Sequence, residues 1–290
     1  MRYGICILPD QPWRRTRALW ERAEAMGFDH AWTYDHLVWG GLPDSQWFSC
    51  IPTLTAAAAV TSRIRLGAFV ISPNFRHPAA LSREIQTLCD ISEGRLLVGL
   101  GAGGTPDDGI LGQPSVTARE RVDRLQEFTT VLDRTLREDH VSVDGDHYIV
   151  RDMRLVGGPV RDRVPLILAG NGPRSVRFAA RLGDGWVTTG SRAEGLDEWF
   201  AGVARNVEIL SEALADRPDS AGFARYLNLD SSPRNSLESI ELFDEMVGRA
   251  SALGFTDVIV HWPRAVEPYR ASEQVLDAVV SRRLASRTGG

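Results

Sequence analysis

Short apolar runs alternate with segments of helical period from one end of the chain to the other, and this alternation limits the fold more than any other feature. The runs at 2–8, 30–34, 64–71, 95–100, 164–169, 185–189, 223–229 and 256–261 are too short for ordinary helices and read as strands. Helical spacing follows each of them: first through Leu19, Ala23 and Met26, then at about 52–60, 79–91, 118–137, 173–182, 196–214, 237–253 and 268–284. A strand followed each time by a helix implies parallel pairing with right-handed crossovers, and eight units predict an α/β fold closed as a (β/α)8 TIM barrel. An open doubly wound sheet would also alternate, but no GxGxxG turn opens this chain. The expectation is one barrel domain over 1–290, with an inserted hairpin near 140–163 turning at Asp144-Gly145-Asp146.

In such a barrel, chemistry sits at the C-terminal ends of the strands. That rule selects Pro9, Asp35 and His36, the segment 70–72, the glycine run 101–104, the turn Gly170-Asn171-Gly172, Thr188 to Gly190, Asn228, His261 and Trp262. Asp35-His36 is the sharpest candidate. A histidine exchanges protons near neutral pH, and a carboxylate or carbonyl can fix its tautomer; the alternative is a ring that only closes a loop hydrogen bond. At Gly170-Asn171-Gly172 the chain turns into a helix beginning at Pro173, so backbone N–H groups and the positive helix end converge on a spot suited to phosphate, where Arg174 could add a guanidinium. The same residues would also serve a plain strand-to-helix turn. Gly101 to Gly104 offer bare backbone to a flat ligand, or simply a tight turn. Trp39 and Trp47, in the loop after His36, are the tryptophans placed to face a ligand, while His261 and Trp262 either line the pocket or pack its mouth. His30 opens a strand and reads as structural, and His77 before Pro78 reads as a helix cap.

Composition excludes several classes. The net charge is −5 without a basic stripe, which argues against nucleic-acid binding. All 33 basic residues are arginine, so neither a Schiff-base lysine nor a P-loop lysine exists. Cys6, Cys50 and Cys89 are odd in number and far apart, which fits a reducing, cytoplasmic setting. No apolar run approaches ~20 residues and no signal peptide is visible, so no membrane partner is expected. No HExxH or His/Cys/Asp ligand set occurs, so no metal is expected.

The chain resembles the luciferase-like flavin-dependent oxidoreductase superfamily, and within it the branch that uses the deazaflavin coenzyme F420. The likeness lies in Gly27-Phe28-Asp29 with Tyr34-Asp35-His36-Leu37, in Arg63-Ile64-Arg65-Leu66-Gly67 leading to Arg76-His77-Pro78, and in Ile91-Ser92-Glu93-Gly94-Arg95 through Gly101-Ala102-Gly103. It resumes in Leu168-Ala169-Gly170-Asn171-Gly172-Pro173 and Gly183-Asp184-Gly185-Trp186. The resemblance implies that Asp35 and His36 line the deazaflavin face, with His36 as proton carrier, and that a bulge with a non-prolyl cis peptide at about Phe69-Val70 supports the ring. It also implies that Ala102 and Gly103 contact the ring and that the turn from Gly170 to Arg174 takes the phosphate. Trp39, Trp47, Thr189, His261 and Trp262 are left for the substrate. Some dehydrogenases of this branch carry a glutamate where this chain has Gly104, with Asp107 and Asp108 nearby but out of register, and the lack of lysine also argues against a sugar-phosphate substrate.

The implied function is an F420-dependent oxidoreductase passing a hydride between cofactor and a small organic molecule, as a homodimer. Two alternatives stand beside it. One is an FMN-dependent two-component monooxygenase of the same fold, served by a separate reductase. The other is a flavin- or deazaflavin-binding protein without catalysis.

Overall fold

In the computed structural model, which describes residues 1–104, 107–156 and 164–284, eight parallel strands close into a barrel. In chain order they are β1 (Arg2–Cys6), β2 (His30–Thr33), β3 (Arg65–Ile71) and β4 (Leu96–Leu100), then β7 (Leu166–Ala169), β8 (Gly185–Thr188), β9 (Ala224–Asn228) and β10 (Asp257–His261). Closure is made by β1, which pairs with both β2 and β10. Between β4 and β7, β5 (Val141–Asp144) and β6 (Ile149–Met153) form an antiparallel hairpin, as the sequence predicts; the end of the expected insertion, 157–163, lies outside the described residues.

Strand side chains alternate between two apolar layers, because successive residues point to opposite faces. Cys6, Leu97, Ile167 and Ile259 fill the barrel interior together with Trp32, Phe69 and Tyr226. Their neighbours Ile5, Val98, Leu166, Leu168 and Val258 point outward and pack under the helices. Both faces are buried, which is why these strands read as continuous apolar runs. The lower end is plugged by His30 and Trp32, and glycines make the room. A Cβ on Gly4 would come within 2.1 Å of the His30 ring, and one on Gly67 within 2.3 Å of the Trp32 ring.

The helices are α1 (Trp13–Ala25), α2 (Cys50–Val60), α3 (Pro78–Ile91), α4 (Asp107–Ile110), α5 (Ala118–Arg137), α6 (Pro173–Leu182), α7 (Leu196–Leu214), α8 (Ile240–Ala252) and α9 (Glu273–Leu284). His77 caps α3 by accepting from the Ala79 N–H, and Thr117 with Glu120 forms a capping box on α5. Two helices begin later than the sequence reading has them. The helix expected over 237–253 is split, because Ser239 caps a fresh start at α8 after a short turn at Ser236–Glu238. The last helix begins at Glu273, not at 268. Tyr269 takes φ +66°, a left-handed conformation that a helix cannot contain, and turns its ring back over the barrel mouth.

Candidate active site

One cavity of about 390 Å³ opens at the C-terminal ends of the strands. His36 enters it from the end of β2 with a quarter of its side chain exposed. Its Nδ1 lies 2.8 Å from Asp107 Oδ2, and the other carboxylate oxygen accepts the backbone N–H groups of Leu37 and Val38 at 3.0 and 3.3 Å. Asp107 is fully buried, supplied by α4 beyond the glycine run. With Nδ1 committed to this carboxylate, Nε2 is the ring nitrogen left for the cavity.

Asp35 does not share that task. Its side chain turns into the wall and is gripped bidentately by Arg76, at 2.6 and 2.8 Å. The expectation that Asp35 lines the deazaflavin face beside His36 is therefore corrected: it neither lines the cavity nor touches His36. Adjacent residues point to opposite sides, so the partner of His36 has to come from elsewhere in the fold.

The opposing walls are backbone-rich. Between Phe69 and Val70 the peptide is cis, the register of β3 against β4 shifts there, and both side chains line the cavity. Ala102, Gly103, Gly170 and Asn171 line it as well. The Asn171 amide ties the turn to the end of β8: its Nδ2 donates to Thr189 Oγ1 at 2.6 Å, while its Oδ1 accepts from the Thr188 hydroxyl at 2.7 Å and the Thr189 N–H at 3.1 Å. Gly172 and Pro173 begin α6 as expected, but neither they nor Arg174 lines the cavity, and Arg174 pairs with Asp123. Ser175, one residue further, does reach it.

Of the residues expected to meet substrate, Trp39 and Thr189 line the cavity. Trp47 stands behind Trp39, with ring centroids 5.8 Å apart. His261 is sealed beneath Tyr34, its Nε2 2.8 Å from the Tyr34 hydroxyl and its Nδ1 3.2 Å from Asp230. Burial alone would push the Asp230 carboxyl up, yet the hydrogen bonds from His261 and Ser236 outweigh it and hold it below the usual carboxylate range. Trp262 borders a separate cavity with Ile7 and Arg264, because it follows His261 on the outward-facing side of the strand alternation. Sequence reasoning missed Tyr34, Asp107 and Ser231. Tyr34 sits beside the motif that named its neighbours, whereas nothing local marks Asp107 as a partner of His36.

This lining fits a planar, hydrogen-bonding ring system. Phe69, Val70, Ala102 and Ala169 present an apolar surface, and Ser72, Asn171, Ser175 and Thr189 supply polar atoms around it. A Cβ added at Gly104 or at Gly172 would meet nothing within 4 Å, so the backbone is open to a ligand at both bends. Among the described residues, no group of His, Cys, Asp and Glu could hold a metal ion.

The sequence signature of luciferase-like monooxygenases spans residues 1–223. The chain belongs to that family. Within it, the chain is 33% identical over 175 residues to an F420-dependent glucose-6-phosphate dehydrogenase of Beutenbergia cavernae, a match covering 60% of this chain and about half (52%) of the relative. It is 30% identical over 270 residues to the enzyme of the same name from Intrasporangium calvum, covering 90% and 78% of the two chains. The coenzyme F420-dependent tetrahydromethanopterin reductase of Methanopyrus kandleri shares the barrel, with a TM-score of 0.75 and 17% identity over 97% of both chains. Among the described residues of this luciferase-like family member, no helix is long and apolar enough to cross a membrane.

Proposed function

We propose that the chain is an oxidoreductase that uses coenzyme F420, passing a hydride between the deazaflavin and a small organic substrate. The observation that carries this reading is the convergence of His36, the Phe69-Val70 bend and the Gly170-Asn171 turn on one cavity. The F420 dependence named in both relatives supports it. When bound, F420 supplies a ring carbon able to take or give a hydride. Phe69 and Val70, with Ala102 and Gly103, would back the ring. The backbone from Gly170 to Arg174 would receive the phosphodiester, at a helix start whose first N–H groups have no intrahelical partner, while the Arg174 guanidinium is held by Asp123.

His36 is the proton carrier in this reading. Asp107 holds the Nδ1 proton in place, so Nε2 is free to accept a proton from a substrate hydroxyl or to return one to a carbonyl, and the buried carboxylate stabilises the imidazolium formed on the way. Asp35 acts at one remove by anchoring Arg76 in the wall, and Trp47 and His261 back Trp39 and Tyr34. Trp262 has no part in the reaction.

Titration of the protein with F420 and separately with FMN, followed by quenching of cofactor fluorescence, tests the proposal. F420 should bind at least roughly tenfold more tightly than FMN, a difference of about 1.4 kcal/mol. Tighter FMN binding with oxygen uptake would hand the site to monooxygenase chemistry instead. We further propose one domain over all 290 residues and a cytoplasmic homodimer. Pairing of β1 with β10 supports the single domain, and three buried cysteines without disulfides support a reducing compartment.

A further inference from the structure

The part of the cavity away from the ring-backing wall is aromatic and uncharged. Tyr34 meets Trp39 edge-on with centroids 5.2 Å apart, and Phe69 at 6.1 Å. Behind them Trp39, Tyr269 and His261 form a stack: Trp39 lies 6.0 Å from Tyr269, Tyr269 lies 3.6 Å from His261, and each pair is within 7° of parallel. Across from this wall stand Val187, Asn228 and Ser231. Asn228 donates to the Ser231 hydroxyl at 2.7 Å, so the polar atoms here are neutral.

Among the described residues no arginine, aspartate or glutamate lines the cavity, and the chain has no lysine at all. Three arginines near the mouth are paired with carboxylates, Arg76 with Asp35, Arg174 with Asp123 and Arg264 with Asp10, and Arg124 is turned to Asn74 and Asp108. Directly behind His36 and Tyr34, two lining residues, stand aspartates: Asp107 on His36 and, through His261, Asp230 behind Tyr34. A phosphate dianion brought into this space would lose its hydration without gaining a cation, at a cost no neutral hydroxyl repays. The helix start at α6, which suits an anion, is taken by the cofactor in the reading above.

We propose that the substrate is an uncharged alcohol or ketone with an apolar, ring-sized body, packed against Trp39 and Tyr34 with its oxygen at His36 Nε2, and that phosphorylated sugars are not substrates. This rests on the deazaflavin reading. In the alcohol direction the hydroxyl proton passes to His36 Nε2. The carbinol C–H bond breaks, its electron pair leaving with the hydrogen as hydride to the oxidised deazaflavin, and the C–O bond becomes C=O. The imidazolium then loses its proton to water at its exposed edge, and ketone reduction runs the same steps backward.

The test uses the full chain. Saturation-transfer NMR without cofactor is run with cyclohexanol, 1-phenylethanol and glucose 6-phosphate. The first two should show contact with the protein and the third none. With F420 bound, the alcohols should bleach the cofactor absorbance and glucose 6-phosphate should leave it unchanged. Trp39→Ala should raise KM for cyclohexanol about tenfold while kcat and F420 affinity stay within about threefold, and Trp39→Phe should restore most of the loss. Turnover of glucose 6-phosphate at an efficiency equal to the alcohols overturns the proposal. So does failure of both alcohols in the NMR and turnover arms, or an unchanged KM in Trp39→Ala. Failure to bind F420 while the alcohols still show contact would strike the cofactor reading and leave the substrate class standing.

Discussion

At the lower end of the barrel, His30 lies 2.9 Å from Asp257 through Nε2 and accepts from the Trp32 indole N–H at Nδ1, 2.6 Å away. At the upper end, His36 spends Nδ1 on Asp107 at 2.8 Å and turns Nε2 to the cavity. An indole nitrogen only donates, so Nδ1 of His30 must be the acceptor and the proton sits on Nε2. Both ring nitrogens of His30 are satisfied, Arg2 grips the same carboxylate bidentately, and the ring is only 2% exposed. The two pairs share one chemistry. A histidine with both nitrogens committed is a strut, and one with a nitrogen left at a cavity is a proton carrier. His261 lies between these cases, with Asp230 on one side and the Tyr34 hydroxyl on the other, and it supports the wall without touching the cavity.

The contrast breaks most readily at His36. His36→Ala should lower kcat about a thousandfold while F420 affinity changes less than about threefold, checked by steady-state rates beside a fluorescence titration. A proportional loss in both would make the ring a binding group only. Asp107→Asn keeps the shape but removes the charge behind the imidazole, and kcat should fall by about 10- to 100-fold with the acidic limb of its pH profile displaced. An unaltered pH profile would separate Asp107 from the proton.

His30→Ala sharpens the other side of the comparison. It should cost on the order of 2 kcal/mol of stability by denaturant unfolding and leave kcat per folded molecule unchanged, because it strips a partner from a buried carboxylate far from the cavity. A selective loss of activity would refute the division between the two ends. The smallest effect is in acid. Burial pushes Asp257 up, but the hydrogen bonds from His30 and Arg2 overcome it and hold its carboxyl below the ordinary value, and Asp230 is held down in the same sense by His261. Groups with lowered folded values stabilise fully above the unfolded carboxyl pKa of about 4 and lose that contribution as pH falls through the folded value. Thermal unfolding followed by circular dichroism should therefore show a steady midpoint from about pH 7 to 5 and a decline below about 4; a midpoint rising on acidification would contradict the assignment.

The barrel, its closure and the inserted hairpin were legible because each follows from local rules. Strands buried on both faces write continuous apolar runs, helices write a 3.6-residue period, and Gly172-Pro173 marks a helix start. The end of β2 was legible for the same reason, since strand ends in a barrel face one way. Asp35 shows where that reasoning stops. Adjacency suggested a partnership with His36, yet the strand sends the two side chains apart, and Arg76 claims the aspartate.

Sequence by itself determined the eightfold β/α order, the position of His36 at the barrel mouth and the two glycine bends beside it. Tertiary structure alone decided that Asp107, 71 positions away, would hold His36, that Tyr269 would turn back to stack on His261, and that Arg76, Arg174 and Arg264 would each pair with an aspartate. Periodicity and turn chemistry act over a few residues. Which side chains meet across a cavity depends on where whole loops come to rest, and that is set by the packing of the complete barrel.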